Sequence, residues 1–138
     1  MREGIAWQEP ILILAGRPGS GKTHLLHATA NLAKRNPYIR SGVTISAQRL
    51  ADEVLRATDF GDLSAWRHRF AQEDFLAVDD VDELYGSRAE CDNFLLDVLR
   101  LREDANRRTL VSLSLSHTLD CQCPLNTFLN HQRAVRLL

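Results

Sequence analysis

Eight residues constrain this chain more than any others. Gly16-Arg17-Pro18-Gly19-Ser20-Gly21-Lys22-Thr23 follows directly on the apolar run Ile11-Leu12-Ile13-Leu14-Ala15. A continuous apolar run ending in glycine has the pattern of a strand buried on both faces. Gly16, Gly19 and Gly21 let the backbone curl so that successive N–H groups point at one place. A helix is expected to open at Gly21 or Lys22, because Leu25, Leu26, Ala30 and Ala33 recur at helical spacing until Asn36-Pro37. Strand, loop and helix in that order satisfy G-x-x-x-x-G-K-[ST] at every fixed position. The converging N–H groups and the positive end of the helix form an anion site suited to phosphate. Within it Lys22 is placed to reach β- and γ-phosphates, and the Thr23 hydroxyl to ligate magnesium. His24 closes the nucleotide-binding segment, its ring and that of His27 reading as structural.

A phosphate loop needs an acid at the end of another buried strand, and Phe75-Leu76-Ala77-Val78-Asp79-Asp80 supplies two. Asp79 is expected to hold magnesium, directly or through water. Asp80 is the candidate catalytic residue, set to orient or deprotonate an attacking water. The cofactors implied are ATP or ADP with Mg2+. No Asn/Thr-Lys-x-Asp guanine-reading motif occurs, which favours adenine.

Apolar patterning places further strands at residues 43–45, 109–115 and 134–138, and helices from Ser46, at 63–70, 89–102 and 125–130. Ser46 is the expected N-cap of its helix, and Phe60-Gly61 breaks it. Phe94, Leu95, Val98, Leu99 and Leu101 form the expected apolar face of helix 89–102. Ser112 and Ser114 mark a face of strand 109–115 that accepts only small side chains. Strands alternating with helices predict a parallel sheet covered on both faces in one domain, residues 1–138.

Composition narrows the class. A net charge of −1 over 138 residues is not that of a strongly basic nucleic-acid binder. The apolar runs are too short to cross a bilayer and the first ten residues have no signal-peptide core, so the cytoplasm is the expected location. Cys91, Cys121 and Cys123 make no disulfide framework. Cys121 and Cys123, with His117 and His131 near, lack paired C-x-x-C spacing and read as a loop. Arg100, Arg102, Arg107 and Arg108 read as a solvated helix end, and Trp7, Trp66 and Phe70 as core or edge packing.

The residues around the loop resemble one family. Gly21-Lys22-Thr23-His24-Leu25-Leu26-His27-Ala28-Thr29-Ala30-Asn31 resembles the phosphate-loop helix of the DnaA/Hda-type AAA+ ATPases. Val78-Asp79-Asp80-Val81-Asp82-Glu83-Leu84 is similar to their second motif, and Asp92-Asn93-Phe94-Leu95-Leu96 and residues 109–114 follow in the same order. The resemblance spans about residues 11–115. It implies a three-layer α/β fold, the AAA+ nucleotide-binding subdomain, with a mostly parallel five-stranded sheet in which strand 109–115 separates the strands of the loop and of Asp79. Ser114, Ser116 or His117 stands where the family senses the γ-phosphate. Gln132 stands about where its arginine finger belongs, with Arg133 next.

The expected chain is cut before the helical lid and has no separate DNA-binding domain. The resemblance implies an ATP-binding accessory or regulator of replication initiation, with nucleotide as a switch and slow or no hydrolysis. Its partner would be a replication protein, a DnaA-like initiator or a sliding clamp, and no membrane. Two alternatives stay open: a small P-loop nucleotide or metabolite kinase, and a non-enzymatic interaction module with a vestigial nucleotide site.

Overall fold

The computed structural model describes residues 9–85, 89–114 and 123–137. Five strands, β1 (Ile11–Gly16), β2 (Gly42–Ser46), β3 (Phe75–Asp79), β4 (Arg108–Ser114) and β5 (Arg133–Leu137), form one sheet in the order β2-β3-β4-β1-β5. Every pairing is parallel, so the sheet is wholly rather than mostly parallel. β4 lies between β1 and β3, which brings the carboxyl ends of the loop strand and the Asp79 strand to one rim.

The strands alternate between two unequal cores. Leu14, Ala77 and Leu110 face α1 (Lys22–Ala33), meeting Leu26 and Ala30. Ile11, Ile13, Ala15, Leu76, Val78, Val111 and Leu113 face the other side. There α2 (Ala47–Phe60), α3 (Leu63–Gln72), α4 (Ala89–Asp104) and α5 (Pro124–Asn130) complete the larger core. Burial on both faces makes β1 and the first four residues of β3 continuous apolar runs, while β4 buries Thr109, Ser112 and Ser114 among its apolar residues. Since α1 is the one helix of the described residues in the smaller core, it buries only a narrow stripe. Leu26 and Ala30 are inside, while Leu25 lies on its flank and is exposed.

Local chemistry sets the other boundaries. Ser46 Oγ accepts the Arg49 N–H at 3.2 Å and caps α2. Gly61, at φ 74, ends α2 in the left-handed conformation. Phe70 is packed edge-on to Phe94 at 5.9 Å in the larger core. Trp66 is half-buried with the Arg69 guanidinium 4.7 Å above its ring. Trp7 lies outside the described residues.

α4 corrects two expectations. Its apolar face does not continue to Leu101, which is exposed, but to Arg102, which is fully buried. Helical geometry requires this: Arg102 lies four residues after Val98 and three after Leu99, on their face. Arg102 is therefore no part of a solvated helix end. Its Nε donates to Thr109 Oγ1 at 2.7 Å, and Nη2 to the Arg108 carbonyl at 2.7 Å. Nη1 donates to the carbonyls of Phe70 at 2.9 Å and Glu73 at 2.6 Å. This one side chain ties the end of α3 to the start of β4. Burial, then the nearby Arg107 charge, lowers its pKa to about 10.

Candidate functional site

The carboxyl rim of β1, β4 and β3 gathers the residues singled out in sequence. Past β1, the Ser20 N–H donates to the Arg17 carbonyl at 3.0 Å, closing a turn that leaves Arg17, Pro18 and Gly19 exposed. Gly19 at φ 82 and Gly21 at φ 89 take left-handed conformations that side-chain-bearing residues rarely adopt. Gly16 serves close approach instead: a Cβ there would displace the Ser20 hydroxyl and crowd Leu137 Cβ at 3.2 Å. That hydroxyl oxygen is itself buried with no hydrogen-bond partner among the described residues.

α1 begins with its donors free of caps. The Leu25 N–H donates to the Gly21 carbonyl at 2.9 Å, so the N–H groups of Lys22, Thr23 and His24 precede the first helical bond. Gly21 offers no side-chain cap and the first turn holds no acid. Lys22 is 7% exposed, whereas Thr23, His24 and His27 are on the surface. Uncapped donors, a left-handed loop and a sheltered cation form a cradle for an anion.

Facing the cradle is the end of β3. Asp79 is buried, and Asp80 reaches back so that its Oδ1 lies 3.7 Å from Lys22 Nζ. Asp80 does so from φ 58, ψ 47, an uncommon left-handed conformation for a residue with a side chain. The Glu83 N–H donates to the Asp80 carbonyl at 3.0 Å and starts a 3-10 turn, Val81–Leu84. The Asp80 carboxyl is pushed above the usual carboxylate range by burial first and by the Asp79 charge next, with Lys22 opposing. Glu83 is raised likewise, by burial and then by Asp80.

Two contributors were not singled out as site residues in the sequence. Ser112 Oγ accepts the Asp80 N–H at 2.8 Å and donates to Asp79 Oδ1. Asp82 Oδ1 accepts the Ser114 N–H at 3.1 Å, fastening the end of β4 to the 3-10 turn. A serine between Val111 and Leu113 in mid-strand was the available signal, and small size alone does not account for Ser112. Ser114 is buried, while Ser116 and His117 lie outside the described residues, as does Cys121. Arg133 is exposed and pairs with Glu9 at 3.2 Å. Among the described residues no group of three His, Cys, Asp or Glu is placed to hold a metal, and no helix is long and apolar enough to cross a membrane.

The residues present fit a magnesium–phosphate pair. Hard oxygen donors, the Thr23 hydroxyl and the Asp79 carboxylate, stand with uncapped N–H groups and a cation. Magnesium bound with a nucleotide takes few protein ligands, the rest of its shell being phosphate and water.

A family model described as the bacterial DnaA ATPase domain matches residues 4–117. The chromosomal replication initiator protein DnaA of Symbiobacterium thermophilum is 29% identical over 101 residues, 73% of this chain and 22% of that protein. A DnaA of Thermus thermophilus is 33% identical over 84 residues, 60% of this chain and 19% of that protein. The chain thus spans about a fifth of the length of these relatives. Its fold resembles AMPPCP-bound DnaA from Aquifex aeolicus at a TM-score of 0.82 and 24% identity, over 96% of this chain and 41% of that one. It also resembles the DnaC helicase loader, at a TM-score of 0.72 and 16% identity, over 93% and 78%.

Proposed function

This chain belongs to the bacterial DnaA ATPase-domain family, and from that premise we propose that it is an ATP-binding accessory or regulatory protein of DNA replication initiation. The observation that carries the reading is the sheltered Lys22 at the uncapped start of α1, 3.7 Å from an acid it can exchange for phosphate. The loop from Gly16 through Arg17, Pro18, Gly19, Ser20 and Gly21 to Lys22, Thr23 and His24 holds the phosphates, with Pro18 shaping it without a donor and the free N–H groups that open α1 facing the anion. Thr23 and Asp79 hold magnesium, which when bound neutralises charge across the β- and γ-phosphates.

The Lys22–Asp80 pairing suggests how nucleotide acts as a switch. Lys22 turning to a phosphate leaves Asp80, and Asp80 begins the 3-10 turn whose Val81 and Leu84 are buried against the larger core. A phosphate at Lys22 therefore biases the segment between β3 and α4. Hydrolysis is slow in this reading: Gln132 stands about where the family's arginine finger belongs, and Arg133 beside it is exposed and pairs with Glu9. The partner we favour is a protein of the replication machinery, a DnaA-like initiator or a sliding clamp. The small-kinase alternative loses support, because Arg102, one of its four clustered arginines, is consumed by buried hydrogen bonds.

Calorimetry with ATP, ADP and GTP on the wild type and Lys22→Ala tests the reading. We expect adenine nucleotides to bind the wild type and Lys22→Ala to weaken them about tenfold or more, roughly 1.4 kcal/mol per decade. No heat with either protein, and no thermal shift at millimolar ATP, would favour the vestigial-site alternative.

A further inference from the structure

Ser112 stands out as a polar residue in an apolar place. It is fully buried, on the sheet face that carries Leu110, and its register partner on β1 is Leu14. Were small size the only requirement, alanine would fill the position without burying a hydroxyl. The hydroxyl instead both donates and accepts, and its polarity is forced. The Asp80 N–H can only donate, so Ser112 Oγ accepts it at 2.8 Å. The single hydroxyl proton is then left for Asp79 Oδ1.

Two consequences meet at the rim. Asp79 is fixed through Oδ1, while Oδ2 has no hydrogen-bond partner among the described residues and is left for a cation. Asp80 is pinned by its N–H at φ 58, the conformation from which its carboxylate reaches Lys22 at 3.7 Å. One hydroxyl therefore couples the orientation of the two acids, across the boundary between β4 and β3.

We propose that Ser112 is the positioning residue of the magnesium site, aiming the Asp79 carboxylate at the metal and holding Asp80 in the turn that faces Lys22. The proposal rests on the magnesium–nucleotide reading above. Outer partners that hydrogen-bond a ligating carboxylate fix its orientation, and their loss weakens metal binding by about 10- to 100-fold. Ser112 touches neither phosphate nor the reacting atoms in this arrangement, so it acts through Asp79 and Asp80.

The test separates metal positioning from general packing. ATP affinity of the wild type and Ser112→Ala is measured by calorimetry across a MgCl2 series and in EDTA, with thermal melts confirming the fold. We expect Ser112→Ala to raise the Mg2+ concentration at half-effect about tenfold, while ATP affinity in EDTA stays within about twofold. Equal Mg2+ midpoints in the two proteins, or an equal loss of affinity with and without Mg2+, overturn the role of Ser112. A wild type that binds ATP with no dependence on Mg2+, or not at all, overturns the magnesium–nucleotide reading and the inference with it. Should Ser112→Ala fail to fold, Ser112→Cys, closer in volume and a poorer hydrogen-bonding partner, is judged by the same criteria.

Discussion

Lys22 and Arg102 are both buried cations, at opposite rims of one sheet, and their surroundings differ in kind. Arg102 sits where β4 begins, with four hydrogen bonds to a hydroxyl and three carbonyls that cannot move without unravelling α3 or β4. Lys22 sits where β1 and β3 end, beside one carboxylate at 3.7 Å on a half-buried aspartate. A guanidinium with four of its five N–H donors occupied has little left to offer a ligand, whereas an ammonium with one loose partner does. Burial of a charge is therefore no guide to function until its partners are counted. A saturated cation is a fastening, and an under-partnered one beside uncapped helical N–H groups is a site.

That contrast is broken most severely at Arg102. Arg102→Ala leaves the Phe70, Glu73 and Arg108 carbonyls and Thr109 Oγ1 without their donor in the interior. The expected loss is about 3–5 kcal/mol, measured by urea denaturation. Adenine-nucleotide affinity of the fraction that stays folded should be unchanged. Arg102→Met, which keeps the aliphatic stem, should lose less, and the gap reports the polar part. Melting within a degree of wild type would mean that the four bonds are not a fastening. Lys22→Ala should give the reverse profile: stability within about 1 kcal/mol of wild type, and the loss confined to nucleotide binding. A Lys22→Ala protein that unfolds as readily as Arg102→Ala would erase the distinction.

The two cations also mark what the sequence reveals and what it hides. The loop, its strand and helix, and the acids at the end of β3 were legible because their chemistry is local: contiguous residues whose types and order are fixed by one turn of backbone. The sheet order, with β4 between β1 and β3, came from family resemblance and is now seen in the pairing. Arg102 was misread because a charged residue at the end of a helix is usually solvated. Its partners, Phe70, Glu73, Arg108 and Thr109, come from elements that only the fold brings together. Ser112 was noticed for its size and not for its hydroxyl, since Asp79 and Asp80 lie 33 and 32 residues away in the chain. Leu25 and Leu101 show the same limit in apolar residues: periodicity gives a face, and the number of neighbouring helices decides how wide a stripe is buried.

The smallest effect is expected at Asp80, whose carboxylate is the one ion-pair partner of Lys22 among the described residues. Burial first, and the Asp79 charge second, raise its pKa above the ordinary aspartate value of 3.8, and Lys22 only partly offsets them. The folded chain therefore holds this proton to higher pH than the unfolded chain does. Stability from this group is present below about pH 3.8 and is lost as pH rises through the folded value, so at neutral pH ionised Asp80 is a net cost. Asp80→Asn removes that titration and suits the left-handed backbone at φ 58, where asparagine is favoured. The variant should be slightly more stable than wild type at pH 7, by less than about 1 kcal/mol given the partial exposure of the side chain. The advantage should shrink as pH falls toward about 4, in melts across that range. ATP affinity should hold or rise, because Lys22 no longer has an anionic partner to leave. A variant less stable than wild type at pH 7 would mean that the Lys22–Asp80 pair outweighs burial and the charge of Asp79. Lys22 would then resemble Arg102 more closely than its single contact suggests.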